Sequence, residues 1–331
     1  MTKVLVAATS FARSSKEPLE VLRQEKIQID INKRGRPFKE SELLEIIEDY
    51  DGVIVGVDPF TEAVIERGKR LKVIAKHGVG VDNIDIKTAT KKGIYVTITP
   101  GANEQAVADH TFALILALVR KIHLADPLTR EGKWPRLIGM EVWGKKLGVV
   151  GLGRIGKNVV KRAKGFNMQI YACDPVVDKA FCERYKVKIV DLETIFKESD
   201  IITLHAPLTK STRHLVNEKM LGLMKDSALL INTARGGLVD EEALFKALEE
   251  KKIGGAALDC FSKEPPDENF SLFKLDNVIV TPHIASYTRE ANRNMGIMAA
   301  RSVIDALSGR IPENVVNQEL VNLKPPEQNK I

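Results

Sequence analysis

Cysteine, aromatic side chains and long apolar runs are all scarce in this 331-residue chain. The three cysteines, Cys173, Cys182 and Cys260, leave one unpaired and have no metal-ligand spacing, so reduced thiols are expected in place of a disulfide framework. No set of His, Cys, Asp and Glu is spaced as metal ligands, and no metal is expected. Aromatic residues make up 5% of the chain, and the 50 lysines and arginines, against 44 acids, are scattered through helical segments. Without a basic stripe interleaved with aromatics, a nucleic-acid partner is not expected. The longest apolar stretch, Phe112 to Val119, is too short to span a bilayer. Met1 to Val6 enters a strand with no basic leader and apolar signal core, so a cytoplasmic protein without membrane contact is expected. A G-x-S-x-G nucleophile elbow is absent too. What remains is a chain long enough for two domains, with 44% hydrophobic residues to fill two cores.

The most informative stretch runs from Lys146 to Asp174. Leu147–Val150 reads as a buried strand, and Gly151-Leu152-Gly153-Arg154-Ile155-Gly156 follows it at the start of a helical run to about Phe166. A second apolar stretch ends at Asp174, 18 residues past Gly156 (174 − 156). This is the dinucleotide-binding pattern in its full context: Gly151 for the tight turn, Gly153 for close approach of a pyrophosphate, Gly156 for helix–strand packing. Asp174 suits the ribose hydroxyls of NAD better than a 2′-phosphate. The same glycines nearly fit a P-loop, but Asn158 stands where a Ser or Thr would hold magnesium, which argues against nucleotide hydrolysis.

Before this stretch, strand-like segments at Lys3–Ala7, Ile27–Ile31, Gly52–Val57, Lys72–Lys76 and Gly93–Ile98 alternate with helical ones at 41–47, 61–67 and 86–91. The alternation predicts a small doubly wound parallel sheet. Asn103 is placed to cap a long apolar helix at a domain junction. After it, strands are expected at Leu147–Val150, Gln169–Ala172, Val187–Val190, Ile201–Leu204, Ala228–Ile231, Ala256–Leu258 and Val278–Val280. A last helix follows Ser286, and the polar tail from Leu323 reads as a free end or a clasp.

Three of the later strands end in polar clusters: Asn232 to Gly237, Asp259 to Pro266, and Thr281 to Ser286. Carboxyl ends of parallel strands line the ligand side of such sheets, so Arg235, Glu264 and His283 are delivered to one edge. Arg235 offers a planar fork for a carboxylate or a 2-oxo group. The imidazole of His283 can exchange a proton with a hydroxyl as hydride moves, and Glu264 can hold that ring in one tautomer. His110, His123, His205 and His214 are read as ordinary, with His205 bordering the cofactor at most.

On these segments the chain resembles the D-isomer-specific 2-hydroxyacid dehydrogenases, and within them the D-3-phosphoglycerate dehydrogenase branch. The loop Lys76-His77-Gly78-Val79-Gly80-Val81-Asp82-Asn83 and the ending Pro312 to Asn317 extend the likeness over nearly the whole chain. The resemblance implies an α/β protein of two doubly wound parallel-sheet domains. A Rossmann NAD-binding domain (101–288) is inserted in a discontinuous flavodoxin-like substrate domain (1–100 and 289–331). It also implies that Arg235, Glu264 and His283 are catalytic. The cofactor set is then Gly151, Gly153, Arg154, Ile155, Gly156, Asp174, Pro207, Thr233, Ala234 and Asp259. Lys76, Val79, Gly80 and Asn103 join Arg235 and His283 on an anionic 2-hydroxy or 2-oxo acid held between the domains, in a homodimer or larger assembly. The leading activity is oxidation of 3-phosphoglycerate for serine biosynthesis, with Lys76 on the phosphate and His77 either a second anion contact or a packed ring. Serine control is not expected, because the chain ends at Ile331. Reduction of hydroxypyruvate, glyoxylate or another 2-oxo acid is the alternative, and the family's NAD(H)-binding transcriptional co-repressors are a remote one.

Overall fold

The computed structural model describes residues 2–322; the tail expectation from Leu323 onward lies outside them. The chain forms two compact units, one from the residues up to Asn103 together with those from Tyr287, the other from Glu104 to Ser286. The crossings lie just before the helices Glu104–Val119 and Arg289–Leu307.

The first unit holds β1 (Lys3–Val6), β2 (Gln28–Ile31), β3 (Gly52–Val55), β4 (Val73–Lys76) and β5 (Tyr95–Thr97) in the order β2-β1-β3-β4-β5. Every pairing is parallel. Each strand is shorter than expected, three of them by a single residue and β3 and β5 by more, for local reasons. β3 stops at Val55 because the Asp58 carboxylate accepts the Gly56 N–H at 3.0 Å and turns the chain. β5 starts late because Gly93, at φ +71°, closes the turn after the preceding helix. Successive residues of each central strand face opposite layers. Leu5, Val53, Val55 and Ile74 meet one core, and Val4, Val6, Ile54 and Val73 meet the other, with Ala299, Ala300 and Val303 of the returning helix. The Pro312–Asn317 ending is tied to β5: Val316 N–H donates to Val96 O at 2.7 Å, and the buried Asn317 side-chain oxygen Oδ1 accepts from Val96 N–H at 3.0 Å.

The second unit holds β6 (Lys146–Val150), β7 (Gln169–Cys173), β8 (Val187–Ile189), β9 (Ile201–Leu204), β10 (Leu229–Asn232), β11 (Gly255–Leu258) and β12 (Val278–Val280). The order is β12-β11-β10-β9-β6-β7-β8, again all parallel. Each strand lies within about a residue of its expected limits, because parallel strands covered on both faces must be continuously apolar. Leu147, Val149, Ile231 and Ala257 face Phe112, Ile115, Val159 and Val160. Val150, Ile202, Leu204, Leu230 and Leu258 face Phe196, Leu244 and Leu248 on the other side. Each fully buried Leu, Ile or Phe here contributes about 1.5–3 kcal/mol. The direction of winding reverses between β6 and β9, and at such a switch point a crevice opens beyond the strand ends.

Candidate active site

The glycine turn sits at that switch point, and its glycines have different physical duties. Gly151 has φ +95°, and a Cβ on it would lie 2.6 Å from the His205 carbonyl carbon just past β9. A Cβ on Gly156 would lie 2.1 Å from Gly151 O. Around Gly153 there is open space, and as N-cap of helix Arg154–Gly165 it supplies no side-chain acceptor. The first-turn N–H groups are therefore left to an anion, with the helix dipole favouring it. Asp174, half-buried at the end of β7, accepts the Leu152 N–H at 2.6 Å and the Val176 N–H at 2.8 Å, so it also braces the turn. Arg154 is exposed, and Ile155 packs part-buried on the core. Asn158 is a structural residue, donating to Arg154 O at 3.0 Å and accepting from Gln105 at 3.1 Å. The residues present fit a dinucleotide.

β10, β11 and β12 bring the expected acid–base pair together: His283 Nδ1 stands 2.8 Å from Glu264 Oε2. The other carboxylate oxygen accepts the Phe261 N–H at 3.0 Å. Burial pushes the Glu264 carboxyl up, but the His283 hydrogen bond and charge, the Phe261 N–H and the Arg235 guanidinium outweigh it and hold it below the usual range. An ionised Glu264 fixes Nδ1 as the protonated nitrogen and leaves Nε2 to exchange a proton. His283 has φ +53°, a left-handed backbone that few side chains adopt. Arg235 follows β10, one amino group donating to Ala234 O at 2.7 Å. Asn232 staples this loop, donating to Arg235 O at 2.8 Å and accepting the Ala234 N–H at 3.1 Å.

Asp259 is fully buried and braces the loop that carries His283. It accepts the Thr281 hydroxyl at 2.5 Å and the backbone N–H groups of Ile284 and Ala285 at 2.9 Å each. Burial pushes its carboxyl up, but these bonds and His110, 3.5 Å away, together keep it below the usual range. His110 Nε2 also meets the Thr281 hydroxyl at 3.1 Å across 171 residues of sequence. His110 was not expected at the site. No local pattern reports a contact of that separation. Thr233 is buried against Thr111 at 3.0 Å, and Pro207 is exposed beyond β9. His205 Nδ1 is buried without a partner, and burial pushes that imidazole down to about 3, so the ring is neutral.

In the first unit the Lys76 ammonium is buried, donating to Gly56 O at 2.5 Å and to Asn83 Oδ1 at 2.7 Å. His77 is a packed ring, 3.2 Å from the Ser10 hydroxyl and 3.4 Å from Asn292 O, and burial pushes it down to about 4. Gly78, at φ +147°, is pinned to Thr99 by a 2.9 Å backbone bond. Among the described residues no acceptor meets the Val79 or Gly80 N–H. Asn103 does not cap the junction helix as expected: its Oδ1 is buried and unpartnered, while buried Glu104 supplies the negative charge that the first turn favours. Metal-like spacing is absent from the sequence, yet the second unit gathers Cys260, Glu264 and His283 with one ligand atom of each within 4.8 Å of the others.

A family model described as the NAD binding domain of D-isomer specific 2-hydroxyacid dehydrogenases matches residues 112–285. The chain is 42% identical over 310 residues to a glyoxylate reductase of Korarchaeum cryptofilum, covering 92% of this chain and 93% of that one. It is 47% identical over 294 residues to a D-3-phosphoglycerate dehydrogenase of Methanocaldococcus jannaschii, covering 86% of this chain but only 56% of that one. Among solved structures, D-lactate dehydrogenase from Aquifex aeolicus complexed with NAD and lactic acid matches with a TM-score of 0.85 and 31% identity, over 96% of this chain and 99% of that one.

Proposed function

The chain belongs to the D-isomer-specific 2-hydroxyacid dehydrogenases and is an NAD-dependent oxidoreductase; from that premise we propose that it reduces a small, unphosphorylated 2-oxo acid such as glyoxylate or hydroxypyruvate. The carrying observation is Lys76. The cation expected on a phosphate is buried and spends donors on Gly56 and Asn83, while His77 beside it is neutral. Lys76 then shapes the Gly78–Gly80 loop, whose open Val79 and Gly80 N–H groups suit a carboxylate. The unpartnered Asn103 amide oxygen can accept only from a donor on the ligand, such as the hydroxyl of hydroxypyruvate. Bound NADH supplies the hydride. His283 gives its Nε2 proton to the 2-oxo oxygen, Glu264 stabilises the charged ring, and Arg235 holds the polarised oxygen and carboxylate. Asp259 keeps the His283 loop in place.

Oxidation of 3-phosphoglycerate is the second reading, favoured by the 47% identity to a relative of that name. NADH oxidation with glyoxylate, hydroxypyruvate and phosphohydroxypyruvate separates the two. The first reading expects kcat/KM for an unphosphorylated acid at least equal to that for the phosphorylated one. A preference of tenfold or more for the phosphorylated acid, about 1.4 kcal/mol, reverses the assignment. In that case Lys76→Met raises KM for the phosphorylated acid alone, whereas loss of a loop anchor weakens every substrate alike.

The assembly we propose is a homodimer formed through the second unit. Helix Ile122–Arg130 buries none of its residues, and Trp134, Ile138 and Trp143 after it are 78%, 85% and 64% exposed. Large apolar groups in one continuous segment call for a partner surface. Light scattering should give a dimer mass for the wild type and a monomer for Trp134→Asp/Ile138→Asp; a wild-type monomer at micromolar concentration removes the proposal. The free thiols of Cys173, Cys182 and Cys260 suit a cytoplasmic setting, and no described helix is long and apolar enough to cross a membrane.

A further inference from the structure

The acid–base pair has a neighbour that proton transfer does not use. Cys260, almost fully buried just past β11, points its sulfur at Ala234 O, 3.4 Å away, and belongs with Glu264 and His283 to the cluster in which the ligand atoms lie within 4.8 Å of one another. We propose that Cys260, Glu264 and His283 form an inhibitory site for a soft divalent cation, zinc above all, which switches the enzyme off by taking the imidazole from proton transfer.

Sulfur, nitrogen and carboxylate oxygen are the three donor types zinc prefers, and three protein ligands with one open position make a common zinc geometry. Bond lengths of about 2.0–2.3 Å place tetrahedral ligands roughly 3.5 Å apart, so the widest separation in the cluster must close by about 1 Å while the 2.8 Å His283–Glu264 contact opens to admit the ion. Its members permit that. The Glu264 and His283 side chains are about one-third exposed and can turn, while Cys260 is held at a strand end. The charges nearby also favour a cation: Asp259 and Glu264 are acidic, and Arg235 opposes them. Burial raises the Cys260 thiol, so the ion must displace its proton, and binding should strengthen as pH rises.

Either ring nitrogen gives the same outcome. A metal on Nδ1 takes the place of the proton that Glu264 holds, and a metal on Nε2 blocks the nitrogen that faces the substrate. The inhibition rests on the role proposed above for His283, whereas the binding does not, and the two are measured separately. Cobalt(II) is titrated into chelator-treated enzyme. The expected result is one thiolate-to-cobalt charge-transfer band per chain, displaced by zinc and lost in both Cys260→Ser and Cys260→Ala, which retain Cys173 and Cys182. Zinc should suppress wild-type turnover reversibly, and half-inhibition should need about tenfold more zinc or higher in Cys260→Ser, since loss of even an outer-shell partner weakens metal sites that much. Absence of the band in the wild type, or its survival in both variants, overturns the site. A band lost in both variants together with zinc-insensitive turnover keeps the site and overturns the switch, and with it the proton-transfer role of His283.

Discussion

His283→Asn is expected to lower kcat/KM by about 10²–10⁴-fold, the range that a positioned general acid–base contributes, while leaving NADH affinity and melting temperature close to wild type. Asparagine is the informative choice because His283 sits at φ +53°, and Asn adopts that region more readily than most residues. The variant thus removes the ring without adding backbone strain, whereas alanine would confound the two. The glycine turn lies at the ends of β6 and β7, and its contacts run to His205 and Asp174, not to His283. Cofactor binding should therefore survive. Glu264→Gln keeps an acceptor near Nδ1 but discards the negative charge, so its loss should be smaller than that of His283→Asn. Stopped-flow NADH oxidation and NADH fluorescence titration measure both variants. Turnover of His283→Asn within a few-fold of wild type would sink the assignment of His283 as proton donor.

Much of the site was legible because parallel strands announce themselves. Ile201–Leu204 and Leu229–Asn232 are buried runs, and the polar residues that break them must lie at strand ends. That logic delivered Arg235, Glu264 and His283 to one edge of one sheet. It could not deliver what braces them. Asp259 works through Thr281, Ile284 and Ala285, and His110 reaches Thr281 from a helix 171 residues away. Such contacts depend on which helix covers which strand end. Lys76 shows the converse limit. Its charge beside a glycine loop suggested an exposed anion contact, but the acceptors on Gly56 and Asn83 that draw it inward are set by tertiary packing. Local pattern finds where polar groups cluster, and burial decides whether they face a ligand or one another.

Gly236→Ala is the second large effect expected, and it comes from a contact that the Asn-Thr-Ala-Arg-Gly-Gly segment conceals. A Cβ on Gly236 would lie 1.9 Å from the Phe261 carbonyl carbon and 2.2 Å from Ser262 N. Both obstacles are backbone, so no side chain can swing aside; the loop after β10 must separate from the loop after β11. Those two loops carry Arg235 and Glu264. Overpacking of this kind costs about 3 kcal/mol or more, equivalent to a drop in melting temperature of about 6–12 °C for a domain of this size. Because Phe261 N–H also holds Glu264 at 3.0 Å, the shift should uncouple Glu264 from His283 and depress kcat more than NADH affinity. Gly165→Ala is the control. Nothing lies within 4 Å of its added Cβ at the end of a helix, so it should be neutral or stabilise by up to about 1 kcal/mol. Thermal unfolding of the pair separates close backbone approach from glycine flexibility: equal stability of the two variants would show that the 235–237 and 261–264 loops yield freely, and that Arg235 and Glu264 are positioned by something other than their mutual contact.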